Sequence, residues 1–534
     1  MSQALTLLMA QINPTVGAIA ANTEKIINII ADHQHQHDII VFPELAITGY
    51  PPEDLLFRHE LYKRVEQALQ AIQEKTNHCY VVIGHPSLEN NNRFNAASIL
   101  YKKMRISTYH KQMLPNYGVF DEERYFIAGE AKPCVFTVKG YRLGLCICED
   151  LWQTGPVEQL IQAKTDVMIC INASPFDYEK YMQRELLLRH YAQQGLSIIY
   201  VNQVGGQDEL LFDGQSVAMN REGQVIGRAP AFLEQLQSVK LQGKQLDGTI
   251  TPLLAQEALI YQALVCGLRD YVEKNGFPGV LLGLSGGIDS ALTLAIAVDA
   301  LGAARVHAVM MPSRYTASIS SKDALQQLNV LQVEHTTLSI EPAFNTLLTT
   351  LASSFIGLPP DVTEENIQAR IRGLLLMALS NKTGKMVVTT SNKSEAAVGY
   401  ATLYGDMVGG FSILKDVLKT QVYALARYRN SISPVIPERV LTRPPSAELA
   451  ENQTDQDTLP DYEILDGIIT YYMEYNLSAE EISARGYPLD MVQHVLKLIT
   501  RNEYKRRQSA PGIKISSCAF GRDWRYPITS GFMK

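Results

Sequence analysis

Three polar residues that lie far apart in the first half of the chain could together hydrolyse an amide. Glu44 ends the segment FPE after an apolar run, Lys111 ends the segment YHK, and Cys148 lies within CICEDLW. Amide hydrolysis requires a nucleophile, a base that later protonates the leaving amine, and a group that stabilises the tetrahedral oxyanion. Cys148, Glu44 and Lys111 can fill these roles. Taken alone, each of these three residues fits a structural role better, and only the ordered set favours catalysis. The nearby Cys146 is predicted to lie in the core.

A glycine-rich segment in the second half could bind phosphate. The segment SGGIDS spans residues 285–290, between the apolar run VLLG and a predicted helix. Its glycines allow the backbone to approach phosphate, its serine hydroxyls and the helix N-terminus supply donors, and Asp289 could hold magnesium. It lacks the lysine of GxxxxGK[ST], so simple release of the γ-phosphate is not implied. The structural alternative is a glycine turn capped by serine and aspartate.

The elements that must position these residues follow an α/β pattern. In the first half, short β-rich runs such as LTLLMAQI, DIIVFPE, YRLGLCICED and DVMICINAS precede polar or helical stretches, which predicts largely buried strands. In the second half, the strands VLLGLS, VHAVMMP and MVVTTSN alternate with helical segments. This alternation predicts a doubly wound parallel sheet with its ligand site at the carboxyl ends of the strands. We predict a domain over residues 1–245, a linker over 246–257 and a second domain over 258–534.

Length, charge and cysteine usage narrow the function classes. At 534 residues the chain is long enough for two enzymatic domains. A net charge of -7 argues against nucleic acid or an anionic membrane as partner and favours small-molecule substrates. The 7 scattered cysteines predict reduced thiols rather than a disulfide framework. With no basic and apolar leader at the start and no apolar run of ~20 residues, we expect a cytoplasmic protein.

The glycine-rich segment resembles the loop of the ATP pyrophosphatases, which split ATP into AMP and pyrophosphate while adenylating a substrate. The segments ENIQARIRG, TTSNKSE, YGD, PSAEL and EYKRR, spread in order over residues 258–530, resemble NAD synthetases within that group. The resemblance implies an adenine nucleotide alpha hydrolase-like fold. It also implies ATP and Mg²⁺ as co-substrate and cofactor, and amidation of deamido-NAD through an adenylated intermediate.

The resemblance assigns residues to ligands as follows. ATP would be bound by Gly283, Leu284, Ser285, Gly286, Gly287, Ile288, Asp289, Ser290, Thr390, Lys419 and Ser446. Deamido-NAD would be bound by Asn366, Glu395, Asp406 and Lys505, and magnesium by Asp289 and Glu395. Two positions depart from the family pattern: Ser391 replaces a glycine, and Leu403 replaces a lysine of the shorter, ammonia-using enzymes.

The set of Glu44, Lys111 and Cys148 resembles the nitrilase superfamily through about residue 245. That resemblance implies an αββα sandwich, with Glu122 as a supporting glutamate. In the glutaminase branch, the positions of Tyr117, Ser174 and Lys180 contact glutamine. An adenylated acid must be attacked by free ammonia. A glutaminase in the same chain would supply that ammonia to the second half. NAD synthetase is the pyrophosphatase family that carries a nitrilase-like domain. The resemblance also implies assembly into at least a dimer through the synthetase halves.

Two rival classes stay open at this point. A tRNA-modifying pyrophosphatase would also carry SGGxDS, but it should bring a basic RNA-binding surface or a catalytic cysteine pair, and neither is evident. A plain amidase whose second domain senses nucleotide would hydrolyse amides without producing AMP. The histidines at 33, 35 and 37 invite a metal interpretation, but no carboxylate or cysteine accompanies them on one face.

Overall fold

The computed structural model describes residues 3–446, 448–450, 455–457 and 459–532, so Ala447 of the PSAEL segment lies outside the described residues. The chain divides into two compact units, Met1–Leu254 and Ala255–Lys534. In the first unit, β15 ends at Asp247, and in the second, α5 begins at Gln256. Among the described residues, no helix has the length and apolar character that crossing a membrane requires.

The first unit is built from two sheets and flanking helices. Its strands are β1 Leu5–Gln11, β2 Ile39–Val41, β3 Tyr80–Glu89, β4 Asn92–Tyr101, β5 Met104–His110, β6 Cys134–Val138, β7 Tyr141–Ile147, β8 Val167–Asn172, β9 Ser197–Asn202, β10 Val204–Gln207, β11 Leu210–Asp213, β12 Val217–Met219, β13 Val225–Arg228, β14 Gln235–Gln242 and β15 Gln245–Asp247. Its helices are α1 Ile19–His33, α2 His59–Lys75, α3 Pro156–Gln162 and α4 Lys180–Ala192.

Strand order explains how the first unit is layered. One sheet has the order β15-β14-β1-β2-β3-β4-β5, and the other has the order β13-β12-β9-β8-β7-β6. Leu7 and Met9 of β1 pack between the sheets, whereas Leu8 packs under α1 and α2. Along β8, Ile169 likewise faces the other sheet, whereas Met168 packs against α3 and α4. In the central strands β1, β2, β8 and β9 both faces are buried, so these strands are largely apolar. The predicted αββα sandwich is confirmed.

The second unit contains a parallel sheet and many helices. Its strands are β16 Val280–Gly283, β17 Val306–Met310, β18 Glu334–Thr337, β19 Met386–Thr389 and β20 Phe411–Ser412. Its helices are α5 Gln256–Lys274, α6 Ile288–Leu301, α7 Ser318–Leu331, α8 Glu341–Leu351, α9 Val362–Thr383, α10 Lys393–Val398, α11 Lys419–Ile432, α12 Glu438–Thr442, α13 Tyr462–Met473, α14 Ala479–Ser483, α15 Leu489–Arg501 and α16 Glu503–Arg506.

The parallel sheet has the order β18-β17-β16-β19-β20, with every pair parallel. The chain therefore places β17 and β18 on one side of β16, and then β19 and β20 on the other side, as the predicted doubly wound fold requires. Helix α9 packs against β16 and β19, and α6 packs against β16 and β17. The loops after β16 and β19 leave the sheet side by side at this crossover, which is where doubly wound folds bind ligands.

Candidate active sites

Cys148 lies on a sharp turn at the end of β7. The strand ends at Ile147, and Cys148 begins a short 3₁₀ turn with a backbone φ of 43°. This left-handed conformation is strained for a residue with a Cβ atom, and such strain concentrates at functional sites. Cys146 is fully buried as predicted, among the side chains under α3 and α4, whereas Cys148 packs with Ile147 between the sheets. Strand alternation would place both thiols on one face, but β7 ends at Ile147, and the two thiols pack in different clusters.

Lys111 joins two carboxylates beside this turn. Its Nζ donates to Glu44 Oε1 at 2.8 Å and to both carboxylate oxygens of Glu122 at 2.9 Å. All three side chains are buried. The structure therefore brings the four predicted residues Glu44, Lys111, Glu122 and Cys148 into one cluster, where their charges act on one another.

Burial and charge set the protonation of this cluster. Burial lowers the pKa of Lys111, but Glu122, Glu44 and Cys148 outweigh it and hold that pKa well above its usual range. Burial, followed by the charge of Glu44, raises the pKa of the Cys148 thiol, and Lys111 only partly opposes this. Cys148 therefore rests as a thiol, and it would need a base to take its proton before it could act as a nucleophile.

Two side chains that the sequence did not indicate orient the carboxylates. Asn95 donates from Nδ2 to Glu44 Oε1 at 2.7 Å, and the Tyr50 hydroxyl donates to Glu122 Oε1 at 2.8 Å. The backbone N–H of Ala173 donates to Glu44 Oε2 at 2.8 Å. Asn95 and Tyr50 carry no local signal, since their partners lie far away in the sequence.

Two of the three predicted glutamine contacts, Tyr117 and Lys180, lie near Cys148. The Tyr117 hydroxyl donates to both carboxylate oxygens of Glu149, at 3.0 and 3.2 Å. Lys180 Nζ lies 4.1 Å from the centre of the Trp152 ring, and burial lowers the pKa of Lys180. Ser174 is buried, and its N–H donates to Asn202 at 2.9 Å. Tyr117 and Lys180 both lie within electrostatic range of Cys148.

In the second unit, the glycine-rich loop borders a cavity of about 290 Å³. Gly286 has a φ of 84°, and a Cβ atom there would lie 2.2 Å from the carbonyl oxygen of Ser320, so this position requires glycine. Most of the predicted ATP, deamido-NAD and metal residues line the cavity: Gly283, Leu284, Ser285, Gly286, Gly287, Ile288, Asp289, Ser290, Thr390, Glu395, Asp406, Lys419 and Ser446.

Two carboxylates converge on one ammonium at this loop. Lys419 Nζ donates to Asp289 Oδ2 at 2.6 Å and to Glu395 Oε1 at 3.0 Å. Burial raises the pKa of Glu395 to about 7, Lys419 opposes this, and Asp289 adds to it. Magnesium takes one or two carboxylates together with phosphate oxygens and water. The pair Asp289 and Glu395, facing a cavity beside a phosphate-type loop, fits that ligand set.

Asn392 connects the Asp289 carboxylate to the backbone of Glu395 and was not singled out from the sequence. It caps α10 by accepting from the N–H of Glu395 at 3.0 Å, and its Nδ2 donates to Asp289 Oδ1 at 2.8 Å. An asparagine before a helix is an ordinary capping signal. That signal predicts the start of α10 but not the contact with Asp289. Arg443, also unpredicted, donates to the Gly286 carbonyl at 3.4 Å.

The structure separates two predicted dinucleotide residues from this cavity. Asn366 and Lys505 are not among its lining residues. Asn366 accepts from the Thr402 hydroxyl at 2.7 Å, and Asp406 accepts from the Thr402 N–H at 2.7 Å. Lys505 donates to the carbonyls of Gly399 and Ala401 and borders a smaller cavity that also includes Ser391. These residues thus gather around the 399–406 loop at one side of the larger cavity.

Comparison with known proteins finds one family for each unit of the chain. The Carbon-nitrogen hydrolase family matches residues 7–250, and the NAD synthase family matches residues 260–509. A glutamine-dependent NAD(+) synthetase of Xanthomonas campestris pv. campestris is 49% identical over 541 residues, covering 99% of this chain and 98% of that protein. The chain belongs to the glutamine-dependent NAD(+) synthetases. The Aquifex aeolicus synthetase is 44% identical, with 99% of this chain and all of that protein covered.

Solved structures show the same relationship. A glutamine-dependent NAD+ synthetase from Acinetobacter baumannii, solved in complex with ADP, aligns with a TM-score of 0.81 at 46% identity and covers 99% of both chains. A synthetase from Cytophaga hutchinsonii has a TM-score of 0.86 at 21% identity, covers 99% of this chain and 98% of its own, and shows the shared fold. The αββα unit and the parallel-sheet unit are thus those of a glutamine-dependent NAD(+) synthetase.

Proposed function

We propose that this chain converts deamido-NAD to NAD with ATP and Mg²⁺, using ammonia that its first unit releases from glutamine. The observation that carries the proposal is the bridge from Lys111 to Glu44 and Glu122 beside Cys148, in a chain whose other unit presents a phosphate-type loop. Neither site alone accounts for the reaction, because one produces ammonia and the other activates an acid.

In the first unit, Cys148 attacks the amide carbon of glutamine. Glu44 takes the thiol proton and later delivers it to the leaving ammonia, while Lys111 stabilises the oxyanion that forms on the amide oxygen. Glu122 holds Lys111 by accepting hydrogen bonds from its ammonium on both carboxylate oxygens. Tyr117, Ser174 and Lys180 contact glutamine. Water then hydrolyses the thioester and releases glutamate.

In the second unit, the carboxylate of deamido-NAD attacks the α-phosphorus of ATP, and pyrophosphate leaves. The loop residues 283–290, together with Thr390, Lys419 and Ser446, bind ATP. Asn366, Glu395, Asp406 and Lys505 bind the dinucleotide. When bound by Asp289 and Glu395, magnesium neutralises phosphate charge. Ammonia then attacks the adenylated carbon, and AMP leaves as NAD forms.

A product assay tests the whole proposal. Deamido-NAD, ATP, MgCl₂ and glutamine supplied together should yield NAD, AMP and pyrophosphate in equal amounts, together with glutamate. Each reagent is then omitted in turn. Glutamate without AMP would identify a plain amidase, and ADP in place of AMP would overturn the adenylation step.

We also propose assembly into at least a dimer through the second units, and a cytoplasmic location. Exposed apolar side chains before and along α9 support association with a second copy: Ile356, Leu358, Val362 and Leu374. Unpaired cysteines among the described residues support a reducing compartment. Sedimentation of the wild type against Leu374→Glu tests the assembly, and a monomeric wild type would overturn it.

A further inference from the structure

A buried carboxylate links the two segments that carry Cys148 and Lys111. Asp150 follows Cys148 in the 3₁₀ turn and is fully buried. Its Oδ2 accepts from the backbone N–H of Ile147 at 2.9 Å and from the Tyr109 hydroxyl at 2.8 Å. Its Oδ1 accepts from the N–H groups of residues 112 and 113, at 3.0 and 2.9 Å.

The donors lie in or directly after strands of two different sheets. Ile147 ends β7 and directly precedes Cys148. Tyr109 lies in β5 at the edge of the seven-stranded sheet, and residues 112 and 113 directly follow Lys111. One side chain therefore joins the turn of the nucleophile to the segment of the oxyanion group.

Four donors make this link specific. A carboxylate removed from water is costly unless its oxygens accept hydrogen bonds, and hydrogen bonds to a charged acceptor are stronger than neutral ones. Burial raises the pKa of Asp150 to about 6, and the N–H groups of Ile147 and Met113 oppose that rise. A carboxylate that accepts on both oxygens holds its donors in fixed directions, so the two segments cannot shift independently.

We propose that Asp150 is a positioning residue for the glutaminase reaction, holding the Cys148 thiol in register with Lys111 and Glu44. The inference rests on the proposed role of Cys148. Asp150 touches neither glutamine nor the reacting atoms in this scheme; it acts through the backbone on either side of them. A displacement of ~1 Å at a reacting atom can cost on the order of a hundredfold in rate.

The variant Asp150→Asn keeps the shape of the side chain but presents an NH₂ group where one oxygen accepted two hydrogen bonds. We expect the glutaminase kcat to fall about a hundredfold with KM changed by less than about threefold. NAD formation from ammonium should be unchanged. Iodoacetamide should still label Cys148 completely, as measured by mass spectrometry of the peptide, but at a rate reduced by at least about tenfold.

The matched control is Asp38→Asn. Asp38 also joins the two sheets, accepting from the Thr6 N–H at 2.8 Å and from Lys139 at 2.7 Å, but it lies at the start of β2, away from Cys148. We expect this variant to keep wild-type kcat and labelling rate. A comparable drop in melting temperature in both variants, with slow labelling only in Asp150→Asn, would separate positioning from stability.

Two outcomes would overturn the inference. One is that the kcat and the labelling rate of Asp150→Asn lie within about threefold of the values measured for Asp38→Asn. The other is that only part of the Asp150→Asn protein is labelled at Cys148, but that part reacts at the wild-type rate. This result would mean that Asp150 only maintains the fold. If Asp150→Asn does not fold, the variant Tyr109→Phe tests the inference, because it removes one hydrogen-bond donor to Asp150. We expect its glutaminase kcat to fall about tenfold with KM unchanged. An unchanged kcat would overturn the inference.

Failure of the inference is distinguishable from failure of the proposed function. If Cys148→Ala still releases glutamate from glutamine, the nucleophile is wrongly assigned and the role of Asp150 falls with it. If Cys148→Ala is inactive and Asp150→Asn is normal, only the positioning role is wrong.

Discussion

Lys419 Nζ lies 2.6 Å from Asp289 Oδ2, so the carboxylate proposed as a magnesium ligand is ion-paired in this structure. The same ammonium also contacts Glu395, and all three groups line the cavity beside the glycine loop. An ammonium between two carboxylates lowers the cost of their mutual repulsion and burial. Binding of magnesium and ATP would place further positive and negative charge at this point.

Asp289→Ala should abolish NAD formation with either nitrogen source, since both routes need the adenylated intermediate. We expect less than ~1% of wild-type activity when NAD is measured with glutamine or with ammonium. Asp299→Asn, on the same helix and paired with Arg429 instead, is the control and should stay active. Near-normal release of AMP by Asp289→Ala would remove this residue from the ATP site.

ATP labelled at the α-phosphate should yield labelled AMP and no ADP. The physical reason is that the loop lacks the lysine that accompanies γ-phosphate transfer, while the acid substrate needs an adenylate as leaving group. Thin-layer chromatography of the products measures this directly. Labelled ADP would point to kinase-type or ligase-type chemistry.

Cys148→Ala should separate the two nitrogen sources. The variant lacks the sulfur that attacks glutamine, and Cys146 cannot replace it because it packs on the other side of the sheet. NAD formation from glutamine should be lost, whereas formation from high ammonium at alkaline pH should persist. Glu44→Ala and Lys111→Ala should behave in the same way. Loss of the ammonium-dependent reaction in a folded Cys148→Ala protein would contradict the division of labour between the units.

Glu122 should make the stability of the first unit depend on pH. Burial raises its pKa from the ordinary value of 4.5 to about 7, although Lys111 opposes the rise. The folded state therefore binds this proton more tightly than the unfolded state, and the wild type should lose stability as pH rises from about 5 to about 8. Glu122→Gln cannot ionise, so the melting temperature of the wild type minus that of Glu122→Gln should fall over this range.

The exposed neighbour Glu123 supplies the control for this measurement. Because Glu123→Gln keeps Glu122, its melting temperature should still exceed that of Glu122→Gln by an amount that falls as pH rises from about 5 to about 8. A difference for Glu122→Gln that is flat, or that grows as pH rises, would contradict the raised pKa.

The sequence predicted both fold types: local strand and helix patterns indicated the parallel sheet, and the resemblance to the nitrilase superfamily implied the αββα sandwich. The αββα sandwich and the parallel sheet are confirmed, and β7, β8, β16 and β17 lie where apolar runs predicted strands. The glycine loop was also predictable, since a strand, a glycine turn and a helix are adjacent in sequence. The conformation of Cys148 was not predictable in this way: alternation within a strand carries no information about the residue at which the strand ends.

The amino-acid sequence supplies the residue types and their order: a thiol, a lysine, two glutamates and a phosphate-type loop. The packing of distant segments determines which of these residues meet. Lys111 and Glu44 are 67 positions apart, and Lys419 and Asp289 are 130 apart, so strand order and register bring each pair together. The same long-range packing placed Asp150 between two sheets and left Asn366 and Lys505 beside the 399–406 loop. Contacts of this kind depend on how distant segments share a core, which no local pattern specifies.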